Sequence, residues 1–127
     1  MPKESLISIV DDDESVREAI KGLIRSLGYA VESFTSAQGF IASKHLRRTA
    51  CLIADVNMPV MTGAELHRHL IASKIHIPTI LITAYPDDQA KQRALRAGVI
   101  CYLSKPFDET ALLDCIHSAV GAARPGG

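Results

Sequence analysis

The chain has 127 residues, 47% of them hydrophobic and 22% charged, which is the make-up of one globular domain with its own core, not of two lobes around a cleft. Fourteen Lys and Arg offset fourteen Asp and Glu, so no net basic field exists to hold nucleic acid or an anionic membrane. Cys51, Cys101 and Cys115 are widely spaced with no C-x-x-C pair, which argues against a disulfide framework or a zinc cage and for buried free thiols.

Met1 to Ser5 lack the features of a secretory signal, and no apolar run reaches membrane-spanning length, so a cytoplasmic protein is expected. Leu6 to Val10 is a short apolar run cut off by Asp11, Asp12 and Asp13, the pattern of a strand buried on both faces, β1. Val16, Ala19, Ile20, Leu23, Ile24 and Leu27 recur on one helical face and predict α1, with Asp13 or Glu14 at its start and Gly28 as its stop. The alternation then repeats four times. Tyr29 to Phe34 reads as β2, Ser36 to about Leu46 as α2, Ala50 to Ala54 as β3, and about Ala64 to Ser73 as α3, opened by the capping box Thr62-x-x-Glu65. Pro78 to Ile82 reads as β4, about Asp87 to Ala97 as α4 with Gly98 as its stop, Ile100 to Leu103 as β5, and Asp108 to about Val120 as α5.

Strands alternating with helices imply parallel strands, right-handed crossovers and helices on both faces: a doubly wound (βα)5 α/β domain with a five-stranded parallel sheet. We expect that domain over residues 1–122, with 123–127, which include Arg124, Pro125, Gly126 and Gly127, as a tail or linker start. Gly39 weakens α2, and α4 offers little apolar area beyond Ala90, Ala94 and Ala97, so it should be loosely anchored.

Ligands of open parallel sheets bind beyond the carboxyl ends of the strands. There the chain places Asp11, Asp12 and Asp13 after β1, Asp55-Val56-Asn57-Met58-Pro59 at β3, Thr83-Ala84-Tyr85 at β4 and Ser104-Lys105-Pro106-Phe107 at β5. Crowded carboxylates repel one another unless a cation neutralises them, and a hard divalent ion that takes oxygen ligands and leaves positions for phosphate, Mg2+, fits them. Asp55 can then act as a carboxylate nucleophile toward phosphorus, with Lys105 and the metal stabilising phosphoryl charge and Thr83 offering a hydroxyl donor.

Val10-Asp11-Asp12-Asp13, Asp55-x-x-Met58-Pro59-x-x-Thr62-Gly63, Thr83-Ala84 and Lys105-Pro106-Phe107, in this order, resemble the receiver domain of bacterial two-component response regulators. Ser36-Ala37-x-x-Phe40 together with Lys105-Pro106-Phe107 is similar to the nitrogen-fixation regulator subfamily, a softer likeness. The resemblance implies a flavodoxin-like strand order of 2-1-3-4-5, an order the chemotaxis relative also illustrates. It also implies Asp55 as phosphoacceptor, Asp12, Asp55 and the Asn57 carbonyl as direct Mg2+ ligands, Asp11 as a ligand through water, and Mn2+ as a possible substitute. Lys105 would precede a cis peptide that aims its ammonium at the acceptor, and Thr83 and Tyr102 would form the switch pair. Asn57 and Tyr85 would line the path of the hydrolytic water. Asp13 reads as the α1 cap, and the five histidines are assigned no chemistry.

The implied function is a phosphorylation switch. A sensor histidine kinase or a histidine phosphotransfer protein would donate to Asp55, and the α4-β5-α5 surface would shift to control transcription through an attached DNA-binding domain or a partner. Phosphorylation-dependent homodimers are an expected output, and no turnover beyond the domain's own phosphoryl transfer and dephosphorylation is expected. An aspartyl phosphatase is the enzyme alternative, but it requires Asp-x-Asp where Asn57 stands, and a flavodoxin-like nucleotide carrier conflicts with three aspartates after β1. An interaction domain controlled by binding alone would not need the complete acidic, Thr and Lys set.

Overall fold

A computed structural model describes residues 5–123 as one parallel sheet in the order β2-β1-β3-β4-β5. The strands are β1 (Leu6–Val10), β2 (Ala30–Phe34), β3 (Thr49–Asp55), β4 (Thr79–Thr83) and β5 (Cys101–Ser104). The helices are α1 (Glu14–Ser26), α2 (Ala37–Ile41), α3 (Gly63–Ala72), α4 (Asp88–Arg96) and α5 (Glu109–Ala123). Residues 124–127 of the expected tail lie outside the described residues, as do residues 1–4.

Side-chain alternation divides the core into two layers. Ile7, Ile9, Ile53, Ile80 and Ile82 face α1 and α5, where they meet Ile20, Ile24, Leu112 and Ile116. Val10, Leu52, Ala54 and Leu81 face the other way, onto Phe40 of α2 and Leu66 and Leu70 of α3. Each fully buried Leu, Ile or Phe of this kind contributes about 1.5–3 kcal/mol, so β1, β3 and β4, sandwiched on both faces, are the rigid centre of the domain. Helix α4 is the exception, because Ala94 is the one buried residue between Asp88 and Arg96. Apart from Ala94 and the half-buried Ala90, its residues are exposed, so this Gln, Lys and Arg-rich helix adds little apolar area to the core.

The helix starts follow the capping chemistry. Asp13 accepts from the Ser15 and Val16 amides, Ser36 from Gly39, Asp87 from Ala90, and Thr62 with Glu65 forms the reciprocal box. Gly28 (φ 91°) and Gly98 (φ 105°) take the left-handed conformation that stops α1 and α4.

Two expectations need correction. Helix α2 stops at Ile41 instead of running to Leu46: beyond it the Ser43 hydroxyl accepts from the His45 amide, a local bond that competes with the helix, and a separate 3-10 turn covers Leu46–Arg48. The expectation of three free thiols holds for Cys51 alone, since Cys101 and Cys115 are joined as a disulfide. Their Cα atoms lie 6.2 Å apart because β5 begins beneath the middle of α5, a proximity that a sequence separation of 14 residues does not announce.

Gly63 opens α3 because a Cβ there would stand 2.6 Å from the carbonyl oxygen of Asp55, closer than any side chain tolerates. Gly63→Ala is therefore expected to force α3 off the end of β3 and to lower the unfolding free energy by about 1–3 kcal/mol, measured by denaturant titration. An unchanged midpoint would show that this approach is not tight in solution.

Candidate functional site

The carboxyl ends of β1, β3, β4 and β5 meet at one edge of the sheet. The carboxylates of Asp11, Asp12 and Asp55 converge there, with one oxygen of each within 4.8 Å of the others. Asp11 and Asp55 are buried and Asp12 is exposed, so the cluster opens to solvent on the Asp12 side. Asp13, next in the acidic run, is spent on the α1 cap and takes no part.

Lys105 reaches this cluster from the β5-α5 loop. Its Nζ lies 3.2 Å from Asp11 Oδ2 and 3.6 Å from Asp55 Oδ1, and the peptide it shares with Pro106 is cis. The ammonium is thus closer to Asp11 than to the expected acceptor. Three carboxylates face one ammonium, so the cluster carries an excess of negative formal charge. Burial pushes the Asp55 carboxyl above the usual carboxylate range; the Asn57 amide pulls it back, Asp11 raises it, Lys105 lowers it and Asp12 raises it.

The two buried acids are held in position by backbone amides. The Asn57 amide donates to Asp55 Oδ1 at 3.2 Å, and the Asp13 amide donates to Asp11 Oδ1 at 2.9 Å. Arg17, one turn into α1, donates from Nη1 to the Asp11 carbonyl at 2.7 Å. Sequence reasoning missed Arg17, and its only signal was its place on the polar side of α1, one turn beyond the cap.

Thr83, fully buried at the end of β4, donates from Oγ1 to the side-chain oxygen of Asn57 at 2.6 Å and accepts from the Tyr85 amide at 3.0 Å. Its hydroxyl is thus engaged with Asn57, not with Asp55. The Tyr85 ring is 75% exposed at the rim. Tyr102 is half-buried on the layer facing α4 and lines two cavities, one between α3 and α4 of about 350 Å3 and one beside the start of α4 of about 220 Å3. The ring therefore has space on both sides of the loosely held helix.

Of the expected site residues, Asp11, Asp12, Asp55, Asn57, Thr83 and Lys105 come together at this edge and the Tyr85 amide joins them through Thr83, whereas Tyr102 lies apart from the acids, beside α4. The donor set is oxygen only, and its residual charge suits a small hard divalent cation bound by carboxylates. A buried carboxylate with a raised pKa, a neighbouring ammonium and a cation-binding partner set can attack an electrophilic phosphorus once the proton is displaced.

The sequence profile of the response regulator receiver domain matches residues 7–117. Response regulator protein TmoT of Ectopseudomonas mendocina is 40% identical over 121 residues, which cover 95% of this chain and 55% of that protein. Transcriptional regulatory protein FixJ of Rhizobium meliloti is 37% identical over 113 residues, 89% of this chain and 55% of that protein. The crystal structure of FixJ-N superposes with a TM-score of 0.84 at 35% identity, covering 94% of this chain and 96% of that one. The chain thus spans about half the length of the curated relatives it matches.

Proposed function

The chain belongs to the response regulator receiver domain family of two-component systems, and from that premise we propose that Asp55 is its phosphoacceptor and that the cluster around it is the phosphorylation site. The observation that carries this reading is the placement of Lys105 Nζ between Asp11 and Asp55, with Asp12 closing the oxygen cluster on the open side.

A carboxylate oxygen of Asp55 attacks the phosphorus of a phosphohistidine on a sensor kinase or histidine phosphotransfer protein. The P–N bond breaks, and its electron pair returns to the imidazole, which takes up a proton. Lys105 then swings from its pairing with the carboxylates toward the phosphoryl oxygens, where its charge is worth more than in water. Asp11, Asp12 and Asp55, with the Asn57 carbonyl, are the residues that would hold Mg2+, or Mn2+ in its place. When bound, that ion supplies charge neutralisation between the acids and the incoming phosphoryl group. Water later cleaves the P–O bond, which returns the Asp55 carboxylate and inorganic phosphate.

Thr83 couples the event to the surface. Its hydroxyl leaves Asn57 for a phosphoryl oxygen, the β4-α4 loop follows, and Tyr102 turns inward as α4 shifts. The α4-β5-α5 surface then engages an output partner, in the cytoplasm, and controls transcription through a DNA-binding domain attached to the chain or a separate protein. Residues 1–122 would form the receiver unit and 123–127 the start of a linker.

Incubation with acetyl phosphate and Mg2+ is expected to add one phosphoryl group by intact mass, labile to hydroxylamine and absent without the metal. No adduct on the folded, Mg2+-binding protein would contradict the reading. Light scattering on the beryllofluoride-bound form is expected to give dimer mass where the untreated form gives monomer. Tyr85→Ala is expected to shorten the acyl phosphate lifetime by up to about tenfold, because a bulky ring two residues beyond Thr83 would screen the acyl phosphate from attacking water. An unchanged decay rate of the phosphorylated variant would reject that role.

A further inference from the structure

The described residues hold three cysteines in two chemical situations. Cys51 lies within β3, fully buried, with its thiol pushed up to about 12 by burial, so it is inert. Cys101 and Cys115 are paired, with Cys101 half-buried on β5, the edge strand of the sheet, and Cys115 buried in α5. The half-buried cystine on the edge strand is therefore the more exposed of the two sulfur sites.

The location of the pair gives it a use. Cys101 and Tyr102 are consecutive on β5 and point to opposite faces: Cys101 packs into the layer beneath α5, Tyr102 into the layer facing α4. Cys115 stands in the middle of α5, buried in the same layer as Cys101. The covalent ring closed between them contains Tyr102, Lys105, the cis Lys105-Pro106 peptide and Phe107. The chain segment that bears the cation of the acidic site and the ring beside α4 is therefore tied at its start to the helix that follows it. Any movement of β5 against α5 has to act on this bond.

We propose that Cys101 and Cys115 are a reversible thiol–disulfide site that sets how readily the receiver switches. The disulfide holds β5 on α5 and favours the resting arrangement, and the dithiol form releases it. The proposal rests on the reading of Asp55 as phosphoacceptor. The reaction is thiol–disulfide exchange: a low-molecular-weight thiol or a dithiol protein attacks Cys101 Sγ, the bond to Cys115 Sγ breaks, and Cys115 leaves as a thiolate that takes up a proton. A second thiol resolves the mixed disulfide, so that two donor thiols are oxidised to one disulfide as the protein cystine is reduced to two thiols. In a compartment kept reducing, a disulfide at such a place forms as a signal and not as a permanent staple.

Coupling is reciprocal: if the bond disfavours the phosphorylated arrangement, that arrangement must disfavour the bond by the same factor. The test equilibrates the whole protein in glutathione buffers of graded ratio, with Mg2+, in the presence and absence of beryllofluoride, and reads the thiol and disulfide forms by alkylation and mass. Fluorine NMR reports separately whether beryllofluoride is bound. The expected result is that bound beryllofluoride shifts the thiol–disulfide equilibrium toward the thiols by at least about fivefold. Cys101→Ser, in turn, should label with acetyl phosphate at one rate whatever the glutathione ratio. An identical equilibrium with and without bound beryllofluoride overturns the proposal while leaving the Asp55 reading intact. Failure of beryllofluoride to bind in either redox form overturns the Asp55 reading and the proposal with it.

Discussion

Asp55→Asn is expected to abolish phosphorylation by acetyl phosphate altogether and, in the same preparation, to raise the midpoint of unfolding in Mg2+-free buffer at neutral pH. The first effect follows from the loss of the nucleophilic oxygen. The second follows from burial. The folded chain holds the Asp55 proton more tightly than the unfolded chain does, so its folded pKa is raised. At pH below the unfolded value both states carry the proton and Asp55 costs nothing. As pH rises through the unfolded value toward the folded one, the unfolded chain ionises first and the folded state loses stability, fully so above the folded value. The neutral amide removes that cost, so the advantage of Asp55→Asn should be present at pH 7 and should vanish in acid. Denaturant titration at two pH values measures it, and a variant less stable than the native chain at pH 7 would show that Asp55 is held by more than the contacts described.

Lys105→Met is expected to slow phosphorylation by about 10²- to 10³-fold, the scale on which loss of one preorganised charge at a developing anion is felt. The same substitution has an opposite effect on the cation. Lys105 sits 3.2 Å from Asp11 and 3.6 Å from Asp55, in the field that a divalent ion would occupy, so its removal leaves three uncompensated carboxylates. The metal-free variant should be less stable by about 1–3 kcal/mol, because the buried Asp11 loses its ion pair. Mg2+ should bind it more tightly and restore more of its stability than it adds to the native chain. Calorimetric titration and thermal unfolding with and without Mg2+ check both. Unchanged Mg2+ affinity would place the ammonium outside the cation site.

Much of this arrangement was legible in the sequence because the signals are local. The apolar runs of β1 and β3 end in acids, helices begin at Asp13 and Thr62, and Gly28 and Gly98 stop them where a left-handed residue is required. The site was legible for a related reason: the ends of parallel strands converge whatever lies between them, so Asp11, Asp55, Thr83 and Lys105 meet once the alternation is recognised.

What was not legible depends on distances set by packing. Whether Cys101 falls beneath Cys115 is decided by how far α5 runs over β5, and no spacing rule reports it. Arg17 reaches the Asp11 carbonyl because α1 starts three residues after Asp11 and rises close by, a contact indistinguishable in sequence from a solvated arginine. The early end of α2 at Ile41 reflects the competition of Ser43 with the helix, weaker than the apolar pattern that runs on through Leu46. The engagement of Thr83 with Asn57, at 2.6 Å, depends on how β4 packs beside the β3-α3 loop, which no local pattern reports.

The acyl phosphate is expected on Asp55 and nowhere else. Protein phosphorylated with acetyl phosphate and Mg2+ is treated with borohydride, which reduces an aspartyl phosphate to homoserine, and the peptides are then sequenced by mass. Homoserine is expected at position 55 and should be lost when Mg2+ is withheld. Homoserine at Asp11 or Asp12, or intact aspartate at all three positions in a protein that had gained phosphate, would contradict it.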